Sequence, residues 1–206
     1  MSAFGEMPRT GLPDLFGSRE EFERYVETMT RAGAIADASF LWWTLRPSAR
    51  YPTLELRIAD SCTRLEDTLA IAALYRCLVR LADRQPDLNR GLTGASRAIA
   101  AENLWRAQRD GVRASIIDEK AGDEGPGVAV PFASHLDATL ALVAEDADAL
   151  GCQREVARAR GIAAEGTSAD RQLSTFTEAR GRGLAEREAV GAVVDWLAET
   201  TSGRKA

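Results

Sequence analysis

The stretch Tyr51-Pro52-Thr53-Leu54-Glu55-Leu56-Arg57-Ile58-Ala59-Asp60 constrains this chain more than any other. Its apolar and polar residues alternate with a period of two, the mark of a strand with two unlike faces. Leu54, Leu56 and Ile58 fall on one face, which calls for a core. Thr53, Glu55 and Arg57 fall on the other and set a carboxylate beside a guanidinium. A carboxylate can hold Mg²⁺ and a guanidinium can hold a phosphate oxygen, so such a face suits a nucleotide phosphate. The same letters also describe a solvated strand face with a neighbouring ion pair. The strand alone leaves both readings open.

Upstream, Phe40 to Leu45 is rich in aromatics and reads as a second strand. Arg46-Pro47-Ser48-Ala49-Arg50 reads as the turn that follows it. So short a link makes the two strands antiparallel neighbours. Alternation sets Trp42, Thr44 and Arg46 together, and Arg46 at the strand end suits a carboxylate clamp or a cover for tryptophan rings. Thr53 and Arg46 are thus the candidate substrate-binding residues beside Glu55 and Arg57.

The remaining pattern is mostly helical. Ser18-Arg19-Glu20-Glu21 is a capping box ahead of Phe22, Tyr25, Val26 and Met29, and Gly33 closes that helix. Thr63-Arg64-Leu65-Glu66 is a second capping box. The helix it opens, about 63–83, is apolar nearly all round from Leu69 to Tyr75 and is expected to pack on the Leu54/Leu56/Ile58 face. Further helices are expected at about 94–110, 134–150, 152–164, 168–179 and 186–199. Short strands are expected at 112–118 and 127–132, joined by a hairpin loop over 119–125. The lead-in 8–17 reads as loop. No linker interrupts the chain, so the expectation is one α+β unit over 1–206 with short antiparallel strands carried by a majority of helix.

Composition removes several classes of function. A net charge of −5 argues against a nucleic-acid binder that works by broad neutralisation. No apolar run reaches the length of a membrane span. Three cysteines far apart in sequence, Cys62, Cys77 and Cys152, read as reduced thiols and a cytoplasmic location. A single histidine, His135, gives no support to a multi-histidine metal site or a Ser-His-Asp triad. Walker-type and Gly-x-Gly-x-x-Gly phosphate loops are absent. Two other polar groupings stand out. Glu102, Arg106 and Arg109 share one helix face, salt-bridged to itself or turned to an anion. Gly166-Thr167-Ser168-Ala169-Asp170-Arg171-Gln172 is a polar helix start, an ordinary junction or an anion site.

Several segments, taken together, resemble a known family. They are Phe40-Leu41-Trp42-Trp43-Thr44-Leu45-Arg46-Pro47-Ser48, Tyr51 to Asp60, Glu102-Asn103-Leu104-Trp105-Arg106-Ala107, Val130-Pro131-Phe132, Gly166 to Gln172, and Val193-Val194-Asp195-Trp196-Leu197. In this order they resemble the bacterial carboxylate–amine ligases related to glutamate–cysteine ligase type 2. The resemblance implies a glutamine-synthetase-like catalytic fold, with ATP and metal ions on the concave face of an antiparallel sheet. It implies a reaction in which the side-chain carboxylate of glutamate becomes an acyl phosphate and an amine such as cysteine displaces phosphate. By the same resemblance, Glu55 is a Mg²⁺ ligand and Arg57 holds the phosphoryl group in transfer.

The family is close to twice as long, and its N-terminal half carries a Gly-x-Glu-Glu-Glu-Phe-type strand with further carboxylates. Arg19-Glu20-Glu21-Phe22 shares some of that lettering but opens a helix. The chain therefore resembles the C-terminal half of the catalytic domain. Two expectations follow: a ligase completed by a partner chain that supplies the N-terminal half, or a non-catalytic remnant that serves binding or assembly. An unpaired sheet edge would favour self-association in either case.

Overall fold

A computed structural model describes residues 7–119 and 127–203. The protein is α+β and mostly helical, with short strands. In chain order the elements are β1 (Thr10–Gly11), α1 (Arg19–Arg31), β2 (Trp42–Trp43), β3 (Leu45–Pro47), β4 (Leu54–Leu56), α2 (Leu65–Arg84), α3 (Gly94–Asp110), β5 (Ser115–Asp118), β6 (Val128–Pro131), α4 (Phe132–Leu142), α5 (Ala144–Ala149), α6 (Gln153–Glu165), α7 (Ser168–Gly181) and α8 (Glu186–Ser202). They group into two compact units. The first holds the described residues up to Asp60 together with Gly91–Ala101. The second holds Ser61–Arg90 and the described residues from Glu102 on. One boundary falls inside α3.

In the first unit, Ser18 caps α1 as expected: its hydroxyl accepts from the Glu21 N–H, while Glu21 Oε2 accepts from the Gly17 N–H at 2.6 Å. The apolar stripe of α1 lies on a small core of Ile35, Leu41 and Trp43, joined by Phe16, Phe22, Tyr25, Val26 and Met29. Trp43 stacks on Tyr25 at 5.9 Å and meets Phe16 at 5.8 Å.

The strand expected over Phe40–Leu45 is broken in two. Ala38–Phe40 is a turn of 3₁₀ helix, and Trp42–Trp43 pairs parallel with Thr10–Gly11, in the segment that reads as loop. The chain then bends at Thr44. Its N–H donates to Gly11 O and its C=O accepts from the Arg57 N–H, so it hands the backbone from β1 to β4. Pairing with the acid-and-arginine strand therefore comes from Leu45–Pro47. The ladder is antiparallel, with Leu45 opposite Leu56, Arg46 opposite Glu55 and Pro47 opposite Leu54. Arg46 and Pro47 belong to the strand and not to the turn.

The expectation that Leu54, Leu56 and Ile58 form a core face is not met. Leu54 is 39% exposed, and Leu56 and Ile58 are half-buried. A two-stranded ribbon twists strongly, and Leu54 sits at its turn end opposite Pro47, so the alternation does not resolve into inside and outside.

In the second unit the core is helical. Ala73, Cys77 and Leu81 of α2 pack with Leu136 and Leu140 of α4, Val143, Ala147 of α5, Cys152, and Val156 and Ala159 of α6. Asp146 is fully buried in α5. It receives Arg80 Nη1 at 2.5 Å and Arg84 Nη2 at 3.0 Å, both from α2. A buried carboxylate needs such partners to stay charged. The helix expected over 134–150 is two helices separated at Val143.

The capping box expected at Thr63 does not form. Arg64 is the N-cap without a side-chain bond, and the Thr63 hydroxyl is instead paired with that of Ser168. Helix α3 and the antiparallel β5–β6 pair lie where the sequence places them. Asn103 extends β5 from the side: its Oδ1 accepts from the Ile117 N–H and its Nδ2 donates to Ile117 O, both at 2.8 Å. Most of the expected 119–125 hairpin loop lies outside the described residues.

Candidate functional site

The β3–β4 hairpin brings Arg46, Glu55 and Arg57 together around one carboxylate oxygen. Cross-strand opposition sets Arg46 beside Glu55, and Arg46 Nε donates to Glu55 Oε2 at 2.9 Å. Arg57 lies two residues on from Glu55 in the same strand direction, and its Nη1 is 3.6 Å from the same Oε2. That spacing is an ion pair and not a hydrogen bond. The bond from Arg46, then one from the Ser48 hydroxyl, and the charges of both guanidiniums hold the Glu55 carboxyl below its ordinary value. Glu55 is therefore ionised at neutral pH, against the modest desolvation that opposes it.

The two arginines differ in what they can reach. Arg46 is 8% exposed. Besides Glu55, its Nη1 donates to Ser39 O at 2.5 Å and to Leu41 O at 2.8 Å. Its fork is occupied by the protein, so its observed role is to lock the 38–41 turn onto β4. Arg57 has a side chain 41% exposed and, among the described residues, its guanidinium makes only the long contact to Glu55. It is the guanidinium of the pair that can meet a solvent-borne anion. Thr53, the third member of the expected face, lies in the exposed turn just before β4, where its C=O accepts from the Ser48 N–H at 2.9 Å. It shares the hairpin with the other three residues but not the ladder.

Ser48 is the residue that sequence reading missed. It ends the run Arg46-Pro47-Ser48, and a period of two puts its hydroxyl on the Arg46 side, toward Glu55. The signal was available once Arg46 is counted as strand. The oxygen also accepts from the N–H groups of Arg50 and Tyr51, at 3.4 and 3.3 Å, and so fixes the turn.

The other two groupings are tied up within the protein. Arg106 pairs with Glu102 at 2.8 Å, and Arg109 pairs with Asp110 while lying 4.3 Å over the Trp105 ring. At the start of α7, Thr167 and Asp170 form a reciprocal capping box, and Arg113 reaches Asp170 Oδ1 at 2.6 Å. His135 stands in the first turn of α4, 3.8 Å from Asp118. Among the described residues no group of three or more His, Cys, Asp or Glu could hold a metal ion. Glu55 is a single carboxylate already engaged by two guanidiniums. Mg²⁺ is ordinarily held by one or two protein carboxylates together with substrate phosphates and water, so Glu55 could supply one ligand of such a site and no more.

Comparison with known proteins adds the family. Residues 1–195 match the model of glutamate-cysteine ligase family 2. A protein of Rhodospirillum rubrum described as "Putative glutamate--cysteine ligase 2" is 48% identical over 201 residues, covering 98% of this chain and 50% of the relative. A protein of the same description from Bradyrhizobium sp. (strain ORS 278) is 44% identical, covering 99% of this chain and 47% of that relative. One from Jannaschia sp. is 42% identical, covering 97% and 51%. The chain belongs to the glutamate-cysteine ligase family 2, and it spans about half the length of these relatives. No helix among the described residues is long and apolar enough to cross a membrane.

Proposed function

We propose that this chain supplies the C-terminal half of an ATP-dependent carboxylate–amine ligase with a glutamine-synthetase-like catalytic fold. The observation that carries the reading is the solvent-reaching Arg57 beside an ionised Glu55, on a hairpin braced by Arg46 and Ser48. In this reading an oxygen of the glutamate side-chain carboxylate attacks the γ-phosphorus of ATP, and ADP leaves. The amine of cysteine, or a similar amine, then attacks the acyl carbon, loses a proton, and expels phosphate as the amide forms. Arg57 holds the phosphoryl oxygens through transfer, where charge-assisted paired bonds count most. Glu55 orients Arg57 and contributes one carboxylate to a Mg²⁺ site. The other carboxylates come from the part of the domain that the relatives carry beyond the matched stretch. Thr53 borders the substrate, and Arg46 positions Glu55 from behind.

The alternative is a remnant that binds without catalysing. It is favoured by the single carboxylate in the candidate site. Phosphate release in the presence of Mg-ATP, glutamate and cysteine separates the two. The chain is assayed alone and after co-expression with the unmatched part of the Rhodospirillum rubrum relative. The ligase reading expects release only from the complemented preparation, lost in Glu55→Gln and much reduced in Arg57→Lys, since an ammonium cannot reproduce the bidentate contact. Full activity in both variants of the complemented preparation would overturn it.

A further inference from the structure

We propose that Phe40 and Trp42, with Arg9, form the platform on which the base of a bound nucleoside triphosphate stacks. The proposal rests on the ligase reading above and adds a base site to it. Trp42 and Phe40 are 42% and 40% exposed, although both lie in the aromatic-rich segment whose other tryptophan, Trp43, is buried. Their rings stand 6.2 Å apart and tilted by 39°, offering two apolar surfaces side by side. The Arg9 guanidinium carbon lies 5.9 Å from the Trp42 ring centroid. The guanidinium lies over the ring, and aromatic rings accompanied by an arginine form a surface on which nucleobases stack with little regard to sequence.

Two further observations set this surface apart from scattered exposed aromatics. Arg9 has a left-handed backbone, φ 65°, which residues other than glycine seldom adopt. It is held there by the Trp42 N–H, which donates to Arg9 O at 2.8 Å. The platform is also fastened to the phosphate end of the candidate site. Leu41 stands between Phe40 and Trp42, and Ser39 precedes Phe40. The carbonyls of Leu41 and Ser39 are the two that Arg46 Nη1 grips, while the same guanidinium grips Glu55 through Nε. One buried side chain thus fixes the aromatic pair relative to the Glu55–Arg57 face. A base at one end and phosphates at the other is the layout that a nucleotide requires.

Calorimetric titration of the 206-residue chain with Mg-ATP, and separately with Mg²⁺ and tripolyphosphate, tests the platform apart from the phosphate site. Wild type is expected to bind Mg-ATP more tightly than tripolyphosphate. Trp42→Ala is expected to weaken Mg-ATP on the order of tenfold to a hundredfold and to leave tripolyphosphate unchanged. Phe40→Ala is expected to do the same to a smaller degree, and Trp42→Phe to retain most of the affinity. Equal binding of the two ligands by wild type, or unchanged Mg-ATP affinity in Trp42→Ala, would overturn the platform while leaving the ligase reading intact. A parallel loss of both ligands in Trp42→Phe as well as Trp42→Ala would also overturn it, because the effect would then lie in the Arg46 frame. Binding of neither ligand by wild type would overturn the nucleotide reading together with the platform.

Discussion

Replacing Arg46 by alanine is expected to destabilise the first unit by about 3 kcal/mol. The figure rests on the two bonds from Nη1 to Ser39 O and Leu41 O, at 2.5 and 2.8 Å from a guanidinium that is 8% exposed. Each charge-assisted bond of this kind contributes on the order of 1.5 kcal/mol at the lower end of its range. The bond to Glu55 adds little, since that carboxylate reaches solvent. For a unit of this small size the loss corresponds to a fall in its melting midpoint of roughly 12–24 °C. Thermal unfolding followed by tryptophan emission suits the measurement, because Trp43 is 3% exposed within the aromatic cluster that Arg46 steadies. Arg46→Lys should fall between, as one ammonium cannot serve two carbonyls and a carboxylate at once. A midpoint unmoved by Arg46→Ala would refute the assignment of Arg46 to the frame and return it to the substrate.

Acid should weaken the second unit. Bonds from Arg158 and then Arg64 hold the Glu165 carboxyl down at about 2, against an ordinary 4.5. Between those values the unfolded chain binds the proton and the folded one does not. The contribution of Glu165 is therefore whole above the unfolded value and is lost as pH falls toward 2. Urea midpoints measured across that range should decline, and should decline less steeply in Glu165→Gln. The thiols should separate into two classes. Cys77 and Cys152 are buried with their sulfurs 3.7 Å apart, and burial first, then the neighbouring thiol, pushes Cys77 up to about 11. Cys62 is half-exposed. Mass spectrometry after brief alkylation at neutral pH should find one adduct on the native chain, at Cys62, and three only after unfolding; rapid native labelling of Cys77 would contradict the packing.

The helices were legible because period and caps agree. The Ser18 box with Phe22, Tyr25, Val26 and Met29 yields α1, and Gly94 to Asp110 yields α3 with its bounds intact. The strands were less so. A residue such as Arg46 reads as turn because it precedes proline, yet the ladder carries both Arg46 and Pro47 at an edge. The switch of partner at Thr44 leaves no mark in composition, since it depends on where Gly11 and Arg57 arrive from elsewhere in the chain. Thr63 fails as a cap for a similar reason: its hydroxyl pairs with Ser168, more than a hundred residues away. In the candidate site, alternation found Glu55 and Arg57 and placed Arg46 near them. It could not tell that one arginine is buried and one exposed, because that division is set by the carbonyls of the 38–41 turn and not by spacing.

The central claim is that Glu55 and Arg57 serve an amide-forming ligation that passes through an acyl phosphate. It is tested most directly by following oxygen. The chain, complemented by the unmatched part of the Rhodospirillum rubrum relative, is given Mg-ATP, cysteine, and glutamate labelled with ¹⁸O in its side-chain carboxylate. The account predicts that the phosphate released carries one labelled oxygen, and that Arg57→Lys lowers the yield of labelled phosphate together with that of amide. Unlabelled phosphate, or amide formed without phosphate, would contradict it.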